Sequence, residues 1–229
     1  MKECWVIDLG LKDYAETLEL QHQLVEKKYK EKLPEILLLV EHNPVITLGR
    51  SSHLENILLD KDQLEKLGVQ LHSIERGGDV TYHGPGQLVS YPIFDLNNYN
   101  QDTHLFLRML EKVIIKTIES YGLKAERIKG LTGVWVEGKK VASIGVAAKR
   151  WITFHGLALN INTDLKYFSY IHPCGILDKK VTSMQELLSQ KIDFQEVKDS
   201  LTDSFVEIFD LKLIKNKTLI SKREVLKLT

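Results

Sequence analysis

Three short segments hold most of the side chains capable of chemistry. Arg76-Gly77-Gly78-Asp79-Val80-Thr81-Tyr82-His83-Gly84-Pro85-Gly86-Gln87 places four glycines and a proline beside an arginine, a tyrosine and a histidine. Glycines reach left-handed backbone and let a ligand come close to the main chain. They suit a plain surface hairpin too, but Arg76, Tyr82 and His83 are costly in a segment that merely connects. No Gly-Lys-Ser/Thr follows, so this is not a phosphate-cradling loop.

The second segment, Gly138-Lys139-Lys140-Val141-Ala142-Ser143-Ile144-Gly145-Val146, forms one side of a hairpin turning at Glu137-Gly138. Strand alternation sets Lys140, Ala142 and Ile144 on one face and Lys139, Val141 and Ser143 on the other, so one of the two lysines points inward. Ala142, Ser143 and Gly145 are poor core fillers and suit a wall along which a chain could lie. The third segment comprises Thr153-Phe154-His155-Gly156-Leu157-Ala158-Leu159-Asn160 and, further on, Ile171-His172-Pro173-Cys174-Gly175-Ile176. A cysteine between proline and glycine fits presentation toward a cavity; a simple buried thiol is the alternative. Cys4, beside an apolar entry run, has the placement of a core residue. The histidines at 22, 42, 53, 72, 83, 104, 155 and 172 show neither Cys-x2-Cys company nor His-x3-His spacing, so no metal site is expected.

The elements that must carry these segments can be read from periodicity. Trp5–Leu9, Ile36–Val40, Val45–Leu48, Val69–Ile74, Leu88–Leu96, Val134–Val136, Lys140–Val146 and Trp151–Ile161 have strand patterns. Helical spacing covers Asp13 to about Lys30, Asp60–Leu67, His104–Tyr121, Ser183–Leu188 and Phe194–Phe209. Strands come in runs rather than in strict alternation with helices. The expectation is an α+β domain with a mixed, largely antiparallel sheet packed with helices. The lysine-rich end, Leu211 to Thr229, fits a solvated tail or a terminal strand, with a basic rim for an acidic partner as the functional alternative.

Composition narrows the class. With 229 residues, 31 Lys+Arg and 31 Asp+Glu, the chain has no net charge with which to grip nucleic acid over its whole surface. A hydrophobic fraction of 43% supports a packed core, and two cysteines cannot build a disulfide framework. No run approaches the ~18–20 apolar residues of a membrane span, and the acids in the first sixteen residues are foreign to a secretory signal. One cytoplasmic domain spanning 1–229 is expected, with no membrane or nucleic-acid partner.

Taken together, ERGGDVTYHGPGQLVSYPIFDL, GVWVEGKKVASIGV and FHGLALNINTDLKYFSYIHPCGI resemble, in order and spacing, the lipoyl(octanoyl) transferases, as does HNPVITLGR at 42–50. The likeness runs from about residue 42 to 186. It implies a fold shared with the catalytic domains of lipoate-protein and biotin-protein ligases. It also implies octanoyl transfer from acyl carrier protein to a lysine of lipoyl domains, those of 2-oxoacid dehydrogenase E2 subunits and of the glycine cleavage H protein. By the resemblance, Cys174 is the acyl-thioester nucleophile and Lys140 the lysine that lowers its pKa. Arg76, Gly77, Gly78, Asp79, Val80, Thr81, Tyr82 and His83, then Ser143, Ile144 and Gly145, then Gly156, Leu157 and Ala158, match segments lining the acyl site. His155 is a supporting candidate, and Asp79 stands where Gln or another polar residue is frequent. No cofactor is implied, and a monomer is expected. The amides around Gly77-Gly78 and Gly145 are candidate oxyanion donors. An ATP-dependent lipoate ligase on the same fold, a non-catalytic lipoyl-domain binding module and a Cys-His hydrolase are the rival readings.

Overall fold

The computed structural model describes residues 1–172 and 180–218 together with 225 and 227. Cys174 therefore lies outside the described residues. Strand β1 (Lys2–Lys12) leads into helix α1 (Tyr14–Glu31), whose first turn is capped by Asp13 accepting from the Glu16 amide at 3.1 Å. Strands β2 (Glu35–His42) and β3 (Val45–Leu48), helix α2 (Lys61–Lys66) and strands β4 (Gln70–Ser73), β5 (Val80–His83) and β6 (Gln87–Ile93) follow. Then come α3 (Thr103–Glu119), β7 (Ala125–Glu126), β8 (Val134–Val136), β9 (Lys139–Lys149), β10 (Ile152–Asn160), α4 (Met184–Leu188), α5 (Phe194–Phe209) and β11 (Leu211–Thr218).

Eight strands form one sheet in the order β11-β1-β2-β6-β10-β9-β8-β7, and β4-β3-β5 form a second, small one. In the large sheet β1 runs parallel to β2 and β11, whereas the remaining pairs are antiparallel. The sheet is thus mixed and largely antiparallel, as the pattern of strands implied.

Alternation along β1 explains how both faces become buried. Cys4 and Val6 join the core under α3 and α5, while Trp5, Ile7 and Leu9 pack beneath α1 with Leu20 and Leu24. Asp8, which interrupts that apolar run, accepts from the Lys198 ammonium of α5 at 2.6 Å, so the buried charge is paired. Phe94, Phe106, Phe205 and Phe209 close the α3/α5 side through edge-to-face contacts.

Some boundaries and elements differ from expectation. β5 falls inside the glycine-rich segment, which the strand periodicity does not mark. β9 runs to Lys149 and turns into β10 through Arg150 and Trp151, both in left-handed backbone (φ 52° and 65°) without a glycine. Arg150 ties this turn to α1, donating to Glu26 at 3.1 Å and lying over the Tyr29 ring at 4.4 Å. The first part of the lysine-rich end is the terminal strand β11, parallel to β1.

Candidate active site

The small sheet and α1 stand over the α1-facing side of the large sheet, and a cavity of about 680 Å³ lies between them. The glycine-rich segment forms one wall because it is zipped to the chain after β3. The Gly49, Arg50 and Ser51 amides donate to the carbonyls of Asp79, Arg76 and Gly78 at 3.2, 3.0 and 3.1 Å. Arg76 locks the assembly, donating to the Thr47 carbonyl at 2.7 Å and to the Gly77 carbonyl at 3.1 Å. Asp79 accepts from the Asn56 side chain at 2.6 Å, which anchors the one-turn 3-10 helix Leu54–Asn56 at the cavity rim.

Most of the segments singled out in the sequence meet here. Arg76, Gly78, Asp79, Val80, Thr81, His83, Lys140, Ser143, Ile144, Gly145, His155, Gly156, Leu157 and Ala158 all border the cavity. Two do not. Tyr82 is turned away by the alternation of β5 and stacks on Tyr167 at 4.8 Å in a satellite core. Gly77 packs against β9, its amide donating to the Val146 carbonyl at 3.0 Å, so it is not available as an oxyanion donor.

Lys140 reaches the cavity by a route that simple alternation misses. Val134 pairs with Ala142 but Trp135 pairs with Lys140, so β9 carries one extra residue, Val141. Val141 and Ala142 consequently both enter the core, and Lys140 returns to the cavity side shared by Ser143. Its ammonium lies 5.3 Å over the buried Trp135 ring. Gly133 (φ 131°) leaves room for the stem, since a Cβ there would stand 2.8 Å from the Lys140 Cε. Lys139 faces outward and pairs with Glu186 at 3.2 Å.

The two chain ends that bracket Cys174 are fixed on the cavity rim. The His172 amide donates to the Asn56 carbonyl at 2.8 Å. On the other side the Lys140 amide donates to the Lys180 carbonyl at 2.8 Å, and the Thr182 amide to the Lys140 carbonyl at 2.9 Å.

The deep end is lined by groups the sequence did not reveal: Tyr14 from α1 and Val89 and Tyr91 from β6. His83 and Gln87 share a 2.8 Å hydrogen bond, and Gln87 donates onward to the Tyr82 carbonyl and to Asn160. His42 bonds the Tyr91 hydroxyl at 2.8 Å and the Lys12 carbonyl at 3.1 Å. Burial pushes His42 down to about 4 and His83 down to about 3, with neighbouring His42 adding to the second shift.

A stability prediction follows from these two imidazoles. In the unfolded chain each titrates near 6.5, and in the fold much lower. As pH falls below 6.5 the unfolded chain takes up protons that the fold refuses, so stability is lost between pH 6.5 and 4. Each imidazole contributes a loss of about 2 kcal/mol between pH 7 and pH 5. Carboxylates with lowered values, such as Glu75, begin to act only below about pH 5, and buried Glu35, whose carboxyl is raised, opposes the imidazoles. These two imidazoles alone should lower the stability read by urea unfolding by about 4 kcal/mol between pH 7 and pH 5, and His155, also held down by burial, adds to the loss with the same sign; a flat profile would contradict the buried neutral state.

His155 occupies left-handed backbone in the middle of β10 (φ 56°). Its amide donates to Gln21 of α1 at 2.7 Å, and its Nε2 stands 3.8 Å from Glu75, which in turn contacts His22 at 2.6 Å. Burial holds His155 below its ordinary value despite the Glu75 carboxylate. Among the described residues no group of three or more His, Cys, Asp or Glu could hold a metal ion. No described helix is long and apolar enough to cross a membrane.

A large cavity, open on one side, with a few convergent polar groups and set on a mixed sheet, defines an α+β enzyme domain built around a small-molecule site. The chain belongs to the lipoyl protein ligase A/B catalytic domain family, whose profile matches residues 13–206. It is 49% identical over 219 residues to the octanoyltransferase of Solibacter usitatus, covering 96% of this chain and 99% of that one. A bipartite lipoate protein ligase from Thermoplasma acidophilum, analysed with its E2 lipoyl domain, has the same fold: TM-score 0.75 at 19% identity, over 99% of this chain and 91% of that one. A biotin protein ligase from Aquifex aeolicus is a more distant match, with a TM-score of 0.53 at 15% identity, over 90% of this chain and 70% of that one.

Proposed function

We propose that this chain is an octanoyltransferase that moves an octanoyl group from acyl carrier protein to a lysine of a lipoyl domain, through a thioester on Cys174. The observation that carries the reading is the pinning of both ends of the Cys174 segment to lining residues, Asn56 on one side and Lys140 on the other. His172 is two residues from Cys174, a reach of at most about 7 Å.

In the first half-reaction the Cys174 thiolate attacks the carrier thioester carbonyl. The new C–S bond forms, the carrier sulfur leaves, and the Lys140 ammonium supplies the proton it takes up. In the second, the neutral amine of the target lysine attacks the Cys174 thioester. An amide forms, Cys174 leaves as thiolate, and the now neutral Lys140 accepts the proton lost by the amine. The cycle closes with thiolate and ammonium restored. The donor is already activated, so no ATP enters. The acceptors are the lipoyl domains of 2-oxoacid dehydrogenase E2 subunits and the glycine cleavage H protein, and residues 1–229 act as one cytoplasmic, monomeric acyltransferase domain.

Incubation with octanoyl-carrier protein alone, followed by intact-mass analysis and peptide mapping, tests this. One octanoyl group on Cys174, released by hydroxylamine and passed to a lipoyl domain without ATP, is expected. Transfer that needs free octanoate and ATP would assign the chain to the ligases instead.

A further inference from the structure

We infer that Val89 is the end-stop of the cavity and sets the length of the acyl chain this protein accepts; the inference rests on the acyl-transfer reading above. Ser143 of β9 pairs with Ala158 of β10, Ala158 pairs with Val89 of β6, and Val89 pairs with Val40 of β2. Directly paired residues share a face. The four side chains therefore make one row running across the sheet beneath α1 and the small sheet. The first three border the cavity and Val40 does not, although Ala158, Val89 and Val40 all share the core with Leu20 and Leu24.

Burial gives the row a direction. Ser143 is half-buried, Ala158 is 3% exposed and Val89 is 1% exposed. The open end is thus at β9, the strand of Lys140, and the closed end is at β6. Side-chain size changes along the same line: Ser143 and Ala158 leave space above the sheet, and Val89 is the first branched residue in the path.

Its surroundings prevent a chain from slipping past. Tyr91, two residues along the same face of β6, is held by His42 at 2.8 Å, and Tyr14 lies over His83 with ring centroids 6.0 Å apart. The trough therefore cannot lengthen by rotating an aromatic wall, and Val89 is the side chain whose volume decides where it ends. Two inter-strand steps from β9 to β6 are about 9.6 Å, and an extended eight-carbon acyl chain is roughly 9 Å long. A chain with its carbonyl beside β9 would set its terminal methyl against Val89.

The test is a competition among hexanoyl, octanoyl, decanoyl and dodecanoyl groups on carrier protein, with transfer to a lipoyl domain read by mass. Val89→Ala should move the decanoyl-to-octanoyl ratio upward by at least about tenfold, and Val89→Leu should move the hexanoyl-to-octanoyl ratio upward by a similar factor. Opposite shifts from opposite volume changes cannot come from a general loss of stability. Binding of octanoate and decanoate to each variant, measured calorimetrically without any donor or acceptor, separates the two levels of inference. Acyl chains that bind with the same length profile in all three proteins would overturn the end-stop and leave the transferase reading standing. A wild-type protein that neither binds fatty acid nor transfers any acyl group would overturn the transferase reading itself.

Discussion

Cys174→Ala should lower octanoyl transfer by at least about a thousandfold, whereas Cys4→Ala should leave it within about twofold of wild type. The contrast rests on where the two thiols stand. Cys4 is fully buried in the core under α3 and α5, and burial with the nearby Glu35 carboxylate pushes its thiol up to about 12. It is neither accessible nor ionised at neutral pH, so its loss should appear as roughly 1 kcal/mol of stability and not as lost chemistry. Cys174 follows His172, whose amide is fixed on the cavity rim. Alanine there removes the thiol that, in the proposed mechanism, holds the acyl chain between donor and acceptor. Cys174→Ser should keep only a trace, because a hydroxyl is much harder to ionise than a thiol. Transfer assays on the three variants, with circular dichroism to confirm folding, decide the matter. Retention of activity in Cys174→Ala would mean that the amine attacks the carrier thioester directly.

What could be read in the residues and what could not divides along physical lines. Lys140, Cys174 and the glycine-rich segment stand out because reactive or conformationally special residues are concentrated at positions where packing alone would not choose them. The deep end of the cavity has no such signal. Val89 and Tyr91 alternate along an apolar strand, and Tyr14 opens an amphipathic helix, so each looks like ordinary core. Their contribution depends on which strands become neighbours, and β6 meets β10 across more than sixty residues of chain. The extra residue in β9 is silent for a similar reason: Val141-Ala142 obeys a strand pattern perfectly well, and only the pairing with β8 shows that both side chains go inward. Simple alternation groups Lys140 with Ala142, and the extra residue puts it on the opposite face. β5 was hidden by its glycine neighbours, and β7 is too short, at two residues, to leave a periodic trace.

That same bulge makes Lys140, and not Lys139, the residue that should tune the nucleophile. Lys139 points outward to Glu186, and an exposed pair of this kind contributes little to anything beyond the surface. Lys140 is 7% exposed, borders the cavity, and has its backbone bonded to Lys180 and Thr182, the chain that follows Cys174. An ammonium within about 4–6 Å of a thiol favours the thiolate. In the proposed pair the thiolate should therefore persist to more acid pH than for a free cysteine. Lys140→Ala should shift the iodoacetamide alkylation curve of Cys174 to higher pH and slow acyl-enzyme formation by about tenfold or more, a tenfold change in thiolate fraction corresponding to about 1.4 kcal/mol. Lys140→Arg retains the positive charge but cannot give up its proton, so it should spare thiolate formation and damage the aminolysis step more heavily. Lys139→Ala should move neither curve. The measurements are pH–alkylation profiles and single-turnover rates for each half-reaction, made on wild type and the three variants with Cys4 replaced to remove background. If Lys140→Ala titrates like wild type, the Cys-Lys pair is wrong. His155, whose imidazole borders the same cavity beside Glu75, then becomes the next base to test.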